Sequence, residues 1–308
     1  MSPSTAPGPV PALSVIVVNF NAGDLLTDCV SAVLASDVPL EVIVVDNGSA
    51  DGSLESLRAR CGPDPRLTIL ENGANLGFAK ANNRALPLAR ADRLLLLNPD
   101  CIIGADTLSQ MLAFMDGRPD VGMAGCVVRN PDGSEQVASR RSIPDPWIAL
   151  KRISRVDRLL PDGGGRRLDR HHEPLPDKPV EVDAISGSFM LVSRRALDEV
   201  GPLDEGYFLH CEDLDWFVRF RQAGWTIALV PDVSVVHHKG ACSRRHPFMV
   251  ERHKHRGMER FYRKFQYRQY PRVFSWLVIL GIRAHFWGRV LSDRLGRIAG
   301  RGEPGGTS

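Results

Sequence analysis

Three short apolar runs in the first third of the chain stop in the same way. Leu13 to Val18 ends on Asn19-Phe20-Asn21, Glu41 to Val45 on Asp46-Asn47-Gly48-Ser49, and Leu94 to Leu97 on Asn98-Pro99-Asp100. Runs this short, apolar and branched are what strands buried on both faces require. Leu67 to Leu70 is a further strand of this kind. Between the runs the period changes. Leu25, Leu26, Cys29, Val30, Val33 and Leu34 recur at helical spacing behind Asp24, a suitable N-cap. A short helix is expected from about Ser53, and another over 78–90, bent or shortened by Pro87. The alternation predicts an α/β fold: a Rossmann-like, mostly parallel sheet with helices on both faces.

Such sheets bind ligands outside the carboxyl ends of their strands. Here those ends carry Asn19, Asn21, Asp46, Asn98 and Asp100. Turns favour Asn and Asp on their own account. Their repetition at successive strand ends is what indicates one polar site on one edge. After the turn Asn130-Pro131-Asp132-Gly133 the pattern fades, and residues 140–180 are rich in Pro, Gly and Arg. This stretch is expected to be a long, partly mobile loop that includes Asp162 to Gly165. Order resumes at Val182. Ser186-Gly187-Ser188 leads into a strand, Phe189 to Val192, and a short helix from Arg194.

The next feature is FLHCEDLDWFVRFRQAGW, residues 208–225. Leu214, Phe217, Val218 and Ala223 fit the buried side of a helix, with Glu212, Asp213 and Asp215 crowded at its start. A helix dipole favours acids there. A general base held rigidly at a helix start is the functional alternative, and spacing does not choose between Glu212 and Asp213. Two short strands are then expected, Ile227 to Val230 and Val233 to Val236, around Pro231-Asp232. The second delivers His237 and His238, of which only one can face the site. An imidazole beside an acidic edge is a candidate metal ligand.

Composition narrows the class. The 308 residues are 43% apolar and 24% charged, ordinary for a soluble globular protein. A net charge of +3 is too small to imply nucleic acid. The six cysteines form no CxxC pair and no secretory apolar region opens the chain, which fits free thiols in a reducing cytoplasm. Residues 1–11 read as a disordered tail. No run of about 18 apolar residues exists, and Val273 to Ile282 is too short to span a membrane.

LSVIVVNFN, EVIVVDNGSADGS, NLGFAKANN, LLLLNPD, Ser-Gly-Ser before a strand, YFLHCEDLDW and VVHHKG together resemble the family 2 glycosyltransferases, in the order that family uses. The resemblance covers about residues 13–245 and is greatest to the rhamnosyltransferase-like branch of bacterial cell-wall and surface-polysaccharide enzymes. It implies a GT-A fold over 12–243, with a nucleotide-binding half to about 130 and an acceptor-binding half from about 131. It also implies inverting transfer from a dTDP- or UDP-linked sugar, with L-rhamnose the first candidate, to a glycan or polyprenyl-diphosphate-linked acceptor. By resemblance, Asn19 and Asn21 line the base and ribose pocket and Asp46 contacts the nucleoside. Asn75, Gly77 and Lys80 border the nucleotide, and Asn98-Pro99-Asp100 occupies the DxD position. Asp100 and His237 would bind Mg²⁺ or Mn²⁺. Asp213 matches the base, with Glu212 beside it, and Ser186, Gly187 and Trp216 lie on the acceptor side. The first acid of DxD is Asn98 here, so charge at the metal rests on Asp100 and the donor phosphates.

Two other classes are weighed against this one. A nucleotidyltransferase would show a Gly-rich basic loop after the first strand, which Asn19-Phe20-Asn21-Ala22-Gly23 is not; a nicotinamide enzyme would show G-x-G-x-x-G. A non-catalytic nucleotide-sugar-binding protein is the other alternative. Residues 244–308 form a basic helical extension. Arg244, Arg245, Arg252, Lys254, Arg256, Arg260, Arg263 and Lys264 alternate with Phe261, Tyr262 and Phe265, and Trp276 and Trp287 follow. This is either a solvated helix packed on the catalytic domain or a surface for anionic lipid. The second reading puts a cytoplasmic protein peripherally on the inner face of the cell membrane.

Overall fold

The computed structural model describes residues 10–137, 139–146, 173–240 and 247–299. Four parallel strands form its first half: β1 (Leu13–Asn19), β2 (Leu40–Asp46), β3 (Leu67–Glu71) and β4 (Arg93–Leu97). β1 pairs with β2 and with β4, so that Val15 lies level with Val42 and Leu95. The two-residue period of a strand then sorts the side chains. Val15, Val17, Val42, Val44, Leu95 and Leu97 enter one core, with Leu26, Cys29, Val30 and Val33 of helix α1 (Asp24–Leu34). Ile16, Val18, Ile43, Val45, Leu94 and Leu96 enter the other, with Ala79, Ala81 and Ala85 of α3 (Phe78–Ala85). Helix α2 (Ser53–Cys61) packs beside α1 and contributes Leu54 and Leu57 to the first core. Every residue of β1 and β2 is buried, as continuous apolar runs require.

The second half joins the same sheet. β5 (Cys101–Ile103), α4 (Thr107–Asp116), β6 (Val121–Arg129), β7 (Val180–Glu181), β8 (Phe189–Ser193) and β9 (Thr226–His237) follow in the chain. The strand order is β3-β2-β1-β4-β8-β6-β9-β5, with β7 on β9. β8 is antiparallel to β4 and β6, and β5 and β7 are antiparallel to β9. The longer ladders, β1 with β2 and β6 with β9, are parallel. Helices α5 (Arg194–Val200) and α6 (Glu212–Gln222) cover the second core. A two-helix extension ends the described chain: α7 (Pro247–Phe265) and α8 (Arg272–Ala299), joined through a 3₁₀ turn at Tyr267–Gln269.

Several local expectations change. The two strands expected around Pro231-Asp232 are one strand, β9. Its ladder slips between Cys126 opposite Val230 and Val127 opposite Ser234, and this irregularity absorbs the proline. Asp24 is the first residue of α1 and not its cap; Gly23 precedes the helix and its N–H donates to Asp51 Oδ2 at 2.8 Å. Pro87 does end α3, which gives way to a 3₁₀ turn at Leu86–Leu88. The elements β5, α4 and β6 were not read from sequence, although Leu108, Met111 and Met115 keep helical spacing on the buried face of α4. Most of the loop expected over 140–180, including Asp162 to Gly165, lies outside the described residues, as do Arg244 and Arg245. Residues 1–9 of the expected tail lie outside them too, whereas Pro11 is buried. Cys29, Cys61, Cys101, Cys126 and Cys211 are free thiols.

Candidate functional site

A cavity of about 280 Å³ opens at the carboxyl ends of β1 and β4. Asn98, Pro99, Asp100 and His237 form part of its lining with Phe20, Asn47, Asn75 and Gly77, while Phe208, His210, Met249 and Val250 come from the loop before α6 and the start of α7. Gly77 is required on two grounds. Its φ of +84° is unfavourable for other residues, and a Cβ there would lie 2.5 Å from the Phe208 carbonyl oxygen. The loop ahead of α6 therefore packs directly onto the start of α3.

The antiparallel pairing of β5 with β9 sets Cys101 opposite His237. That register brings Asp100 Oδ1 to 3.0 Å from His237 Nε2, with both side chains nearly buried. His237 Nδ1 lies 2.7 Å from Gln136 Oε1, an acceptor, so the ring proton belongs on Nδ1. Nε2 then presents a lone pair to the Asp100 carboxylate. Asn98 Nδ2 donates toward the same Nε2 at 3.4 Å, in keeping with this tautomer. Two electron-rich atoms facing each other invite a cation. The donor set suits Mg²⁺ or Mn²⁺, because such ions draw further oxygen ligands from water and phosphate. Cys101 lies close enough to join the cluster, but burial holds its thiol well above the usual range and it bonds to the Ser188 carbonyl. A protonated thiol adds nothing for a hard ion.

The acids of α6 separate by surroundings. His210 and Cys211, just before the helix, both have positive φ, of 70° and 72°, a conformation non-glycine residues seldom adopt. Glu212 is buried with Oε2 unpartnered. Burial first, and the neighbouring Asp213 charge second, push its carboxyl up to about 8. Both causes favour its protonated form. Asp213 Oδ1 accepts from the Leu214 N–H at 2.8 Å, and Oδ2 meets the Arg141 guanidinium. A Cβ on Gly187 would sit 2.9 Å from that Oδ2, so the Ser186–Ser188 turn approaches the carboxylate as only glycine permits. Asp215 is fully buried and structural: it binds Arg219 at 2.7 Å and Lys264 at 2.6 Å and accepts from Tyr207 Oη at 3.2 Å.

Other expected residues land differently. Asn19 and Asp46 do not line the cavity; they form a buried clamp between two strand ends. Asn19 Nδ2 donates to Asp46 Oδ1 at 2.8 Å, and Asp46 Oδ2 accepts from the Gly48 and Ser49 N–H groups. Asn21 joins the clamp by accepting from the Ala50 N–H at 2.8 Å. Asn75 does line the cavity, where its Oδ1 accepts from the Gly77 N–H at 3.0 Å. Lys80 is exposed on α3, outside the cavity wall. Trp216, expected on the acceptor side, is a core residue: its ring is fully buried, it meets Phe220 edge-on, and its N–H donates to the Gly201 carbonyl at 3.0 Å. It offers a glycan no open face. Ser186 hydrogen-bonds Ser188 within the turn beside Asp213. Asn47, Gln136, Arg141 and Phe208 were missed. Asn47 stood in a quoted strand-end motif and was read only as a turn, and Phe208 opens the quoted stretch 208–225 without having been given a role; nothing local marks Gln136 and Arg141.

The chain is similar to known proteins in sequence and in fold. Residues 14–201 match the model of glycosyl transferase family 2. N-acetylglucosaminyl-diphospho-decaprenol L-rhamnosyltransferase of Mycobacterium tuberculosis is 30% identical over 264 residues, 76% of this chain and 78% of that protein. Rhamnosyltransferase WbbL of Escherichia coli is 27% identical over 233 residues, 73% of this chain and 82% of that one. Among solved structures, the mannosyltransferase PcManGT of Pyrobaculum calidifontis, in complex with GDP-Man and Mn²⁺, superposes with a TM-score of 0.56 at 22% identity. The match covers 98% of this chain and 79% of that one, and shows a shared GT-A fold.

Proposed function

The chain belongs to glycosyltransferase family 2, and on that footing we propose that it transfers one sugar, with inversion, from a dTDP- or UDP-linked donor to a glycan or polyprenyl-diphosphate-linked acceptor. L-Rhamnose is the first candidate sugar. The observation that carries the reading is the Asp100–His237 pair, 3.0 Å apart, in a cleft at the strands' carboxyl ends. The names of the M. tuberculosis and E. coli relatives support the choice of sugar, and the former supports a lipid-linked acceptor.

Asp100 and His237 would hold Mg²⁺ or Mn²⁺, which when bound offsets the charge on the departing diphosphate. Gln136 keeps His237 in the tautomer that leaves Nε2 available, and Asn98 adds a hydrogen bond without charge. Phe20 and Asn47 offer the nucleoside an apolar and a polar contact, with Asn75 and Gly77 beside them. Donor binding falls to residues up to about 130 and acceptor binding to those from about 131 to 243.

Asp213 takes the proton of the acceptor hydroxyl as its oxygen attacks the anomeric carbon. The bond to the donor phosphate breaks, the nucleoside diphosphate leaves with the electron pair, and a single displacement inverts the centre. Both Asp213 oxygens are engaged in the structure, one by a backbone N–H and one by Arg141. The base is therefore freed when Arg141 turns to another anion, and an acceptor diphosphate supplies one. Burial and the Asp213 charge raise the Glu212 carboxyl and favour its protonated form, which supports Asp213 as the base.

The test is Asp213→Asn, assayed with a panel of nucleotide sugars with Mg²⁺, with Mn²⁺ and with chelator. Donor binding, read by thermal shift, should persist while transfer falls by roughly 10²–10⁴. Undiminished transfer removes Asp213 as the base. Donor binding by the unaltered protein, without turnover on any acceptor, moves the protein to the class of non-catalytic binders.

A further inference from the structure

Helix α8 carries an apolar face that the described chain leaves open. Val273, Trp276, Leu277, Leu280, Trp287 and Leu291 are between 59% and 74% exposed. At 3.6 residues per turn they share one stripe about 100° wide and about 27 Å long, with exposed Ala284 in its gap. This is not the face that attaches the helix. Ser275, Ile279 and Val290 are buried instead, with Tyr262 Oη 2.9 Å from Ser275 Oγ and His255 Nε2 2.9 Å from His285 Nδ1.

The charge around the stripe is one-sided. Residues 247–299 hold twelve Arg and Lys against three Asp and Glu, in a chain whose totals are 39 and 36. Among the described residues, Arg252, Arg256, Arg268 and Arg272 form no salt bridge. A second copy docked on this face would bring like charges together, whereas anionic headgroups would neutralise them. No helix among the described residues is long and apolar enough to cross a membrane. A helix with one apolar stripe and a basic surround lies along a bilayer.

We propose that α8 docks on an anionic phospholipid surface, with its stripe at the headgroup–acyl boundary. Trp276 and Trp287 sit at the depth where indoles partition, and the α7–α8 cations face the headgroups. Docking also places the cleft. Met249 and Val250 of α7 line it, and His253 of the same helix stacks on Phe208 of its wall at 4.2 Å. The cleft is thus tied to the membrane-bound element, where the head of a lipid-linked acceptor emerges. That last consequence rests on the transfer reading above; the docking itself does not.

Flotation of the full chain tests the proposal, using phosphatidylcholine vesicles with and without about 30% phosphatidylglycerol. The protein should float with the anionic vesicles, and brominated lipid should quench its tryptophans. The double variant Leu280→Glu, Trp287→Glu alters exposed side chains only, so its melting temperature and nucleotide binding should hold. Its partition should fall by roughly tenfold or more. Absence of flotation, or equal flotation of variant and parent, overturns the docking face. Equal binding to neutral vesicles overturns the headgroup assignment. A dimer that the variant dissolves, without vesicle binding, gives the stripe to a second copy.

Discussion

Replacing Glu212 with Gln should remove a pH dependence from the stability of the fold. Burial and the neighbouring Asp213 raise the Glu212 carboxyl from 4.5 to about 8. Between those values the folded chain binds more protons at this site than the unfolded chain, so stability falls as pH rises. The contribution is fully present below about pH 4.5 and is lost as pH passes through about 8. At about 1.4 kcal/mol per pH unit the ceiling is about 5 kcal/mol, and relaxation around a buried ion trims it to about 2–3 kcal/mol. The amide of Gln keeps the shape and does not titrate. Urea titrations of both proteins at pH 5.5, 7 and 8.5 measure the difference in slope, which is independent of any fixed cost of the amide. Parallel profiles for parent and variant would refute the argument, for they would mean that Glu212 ionises as easily when folded as when unfolded.

Gln136→Leu leaves the His237 ring without its acceptor, and Mn²⁺ affinity measured by calorimetry should fall about 10- to 100-fold with the fold intact. Gly187→Ala forces a methyl group against Asp213 Oδ2; turnover should drop while donor affinity, read by thermal shift, stays near that of the parent. Lys264→Met strips one cation from buried Asp215, which keeps Arg219, so chemical denaturation should show a loss of about 1–3 kcal/mol.

The sheet was legible where its strands are buried on both faces, because there one run of branched apolar residues serves two cores. Asp100 was legible because LLLLNPD places a carboxylate where a buried strand ends. The acid cluster was visible as a cluster, but its division was not. All three acids are buried, but Arg141 meets Asp213 and Lys264 meets Asp215, and these two cations lie 72 and 49 residues away in sequence. The same distance hid Gln136, which reaches His237 across 101 residues. Asn19 and Asp46 were ambiguous for a different reason. A strand-end amide and carboxylate have the chemistry to bind a nucleoside, and equally to bind each other once paired strands bring them level. Trp216 misled because an aromatic beside an acid cluster resembles a sugar platform until packing covers it.

The slipped register in β9 has a consequence for the two adjacent histidines. Ahead of the slip the even-numbered Ala228 and Val230 enter the core shared with α1; beyond it the odd-numbered Val233 and Val235 do. The bulge thus reverses the parity of the strand, and His237 inherits the inward phase. An uninterrupted strand would have turned His238 inward and left His237 on the opposite face. The identity of the imidazole beside Asp100 is therefore decided by three extra residues in β9 around Pro231, an odd number. Deleting a residue there should hand the role to the neighbouring histidine without altering either one.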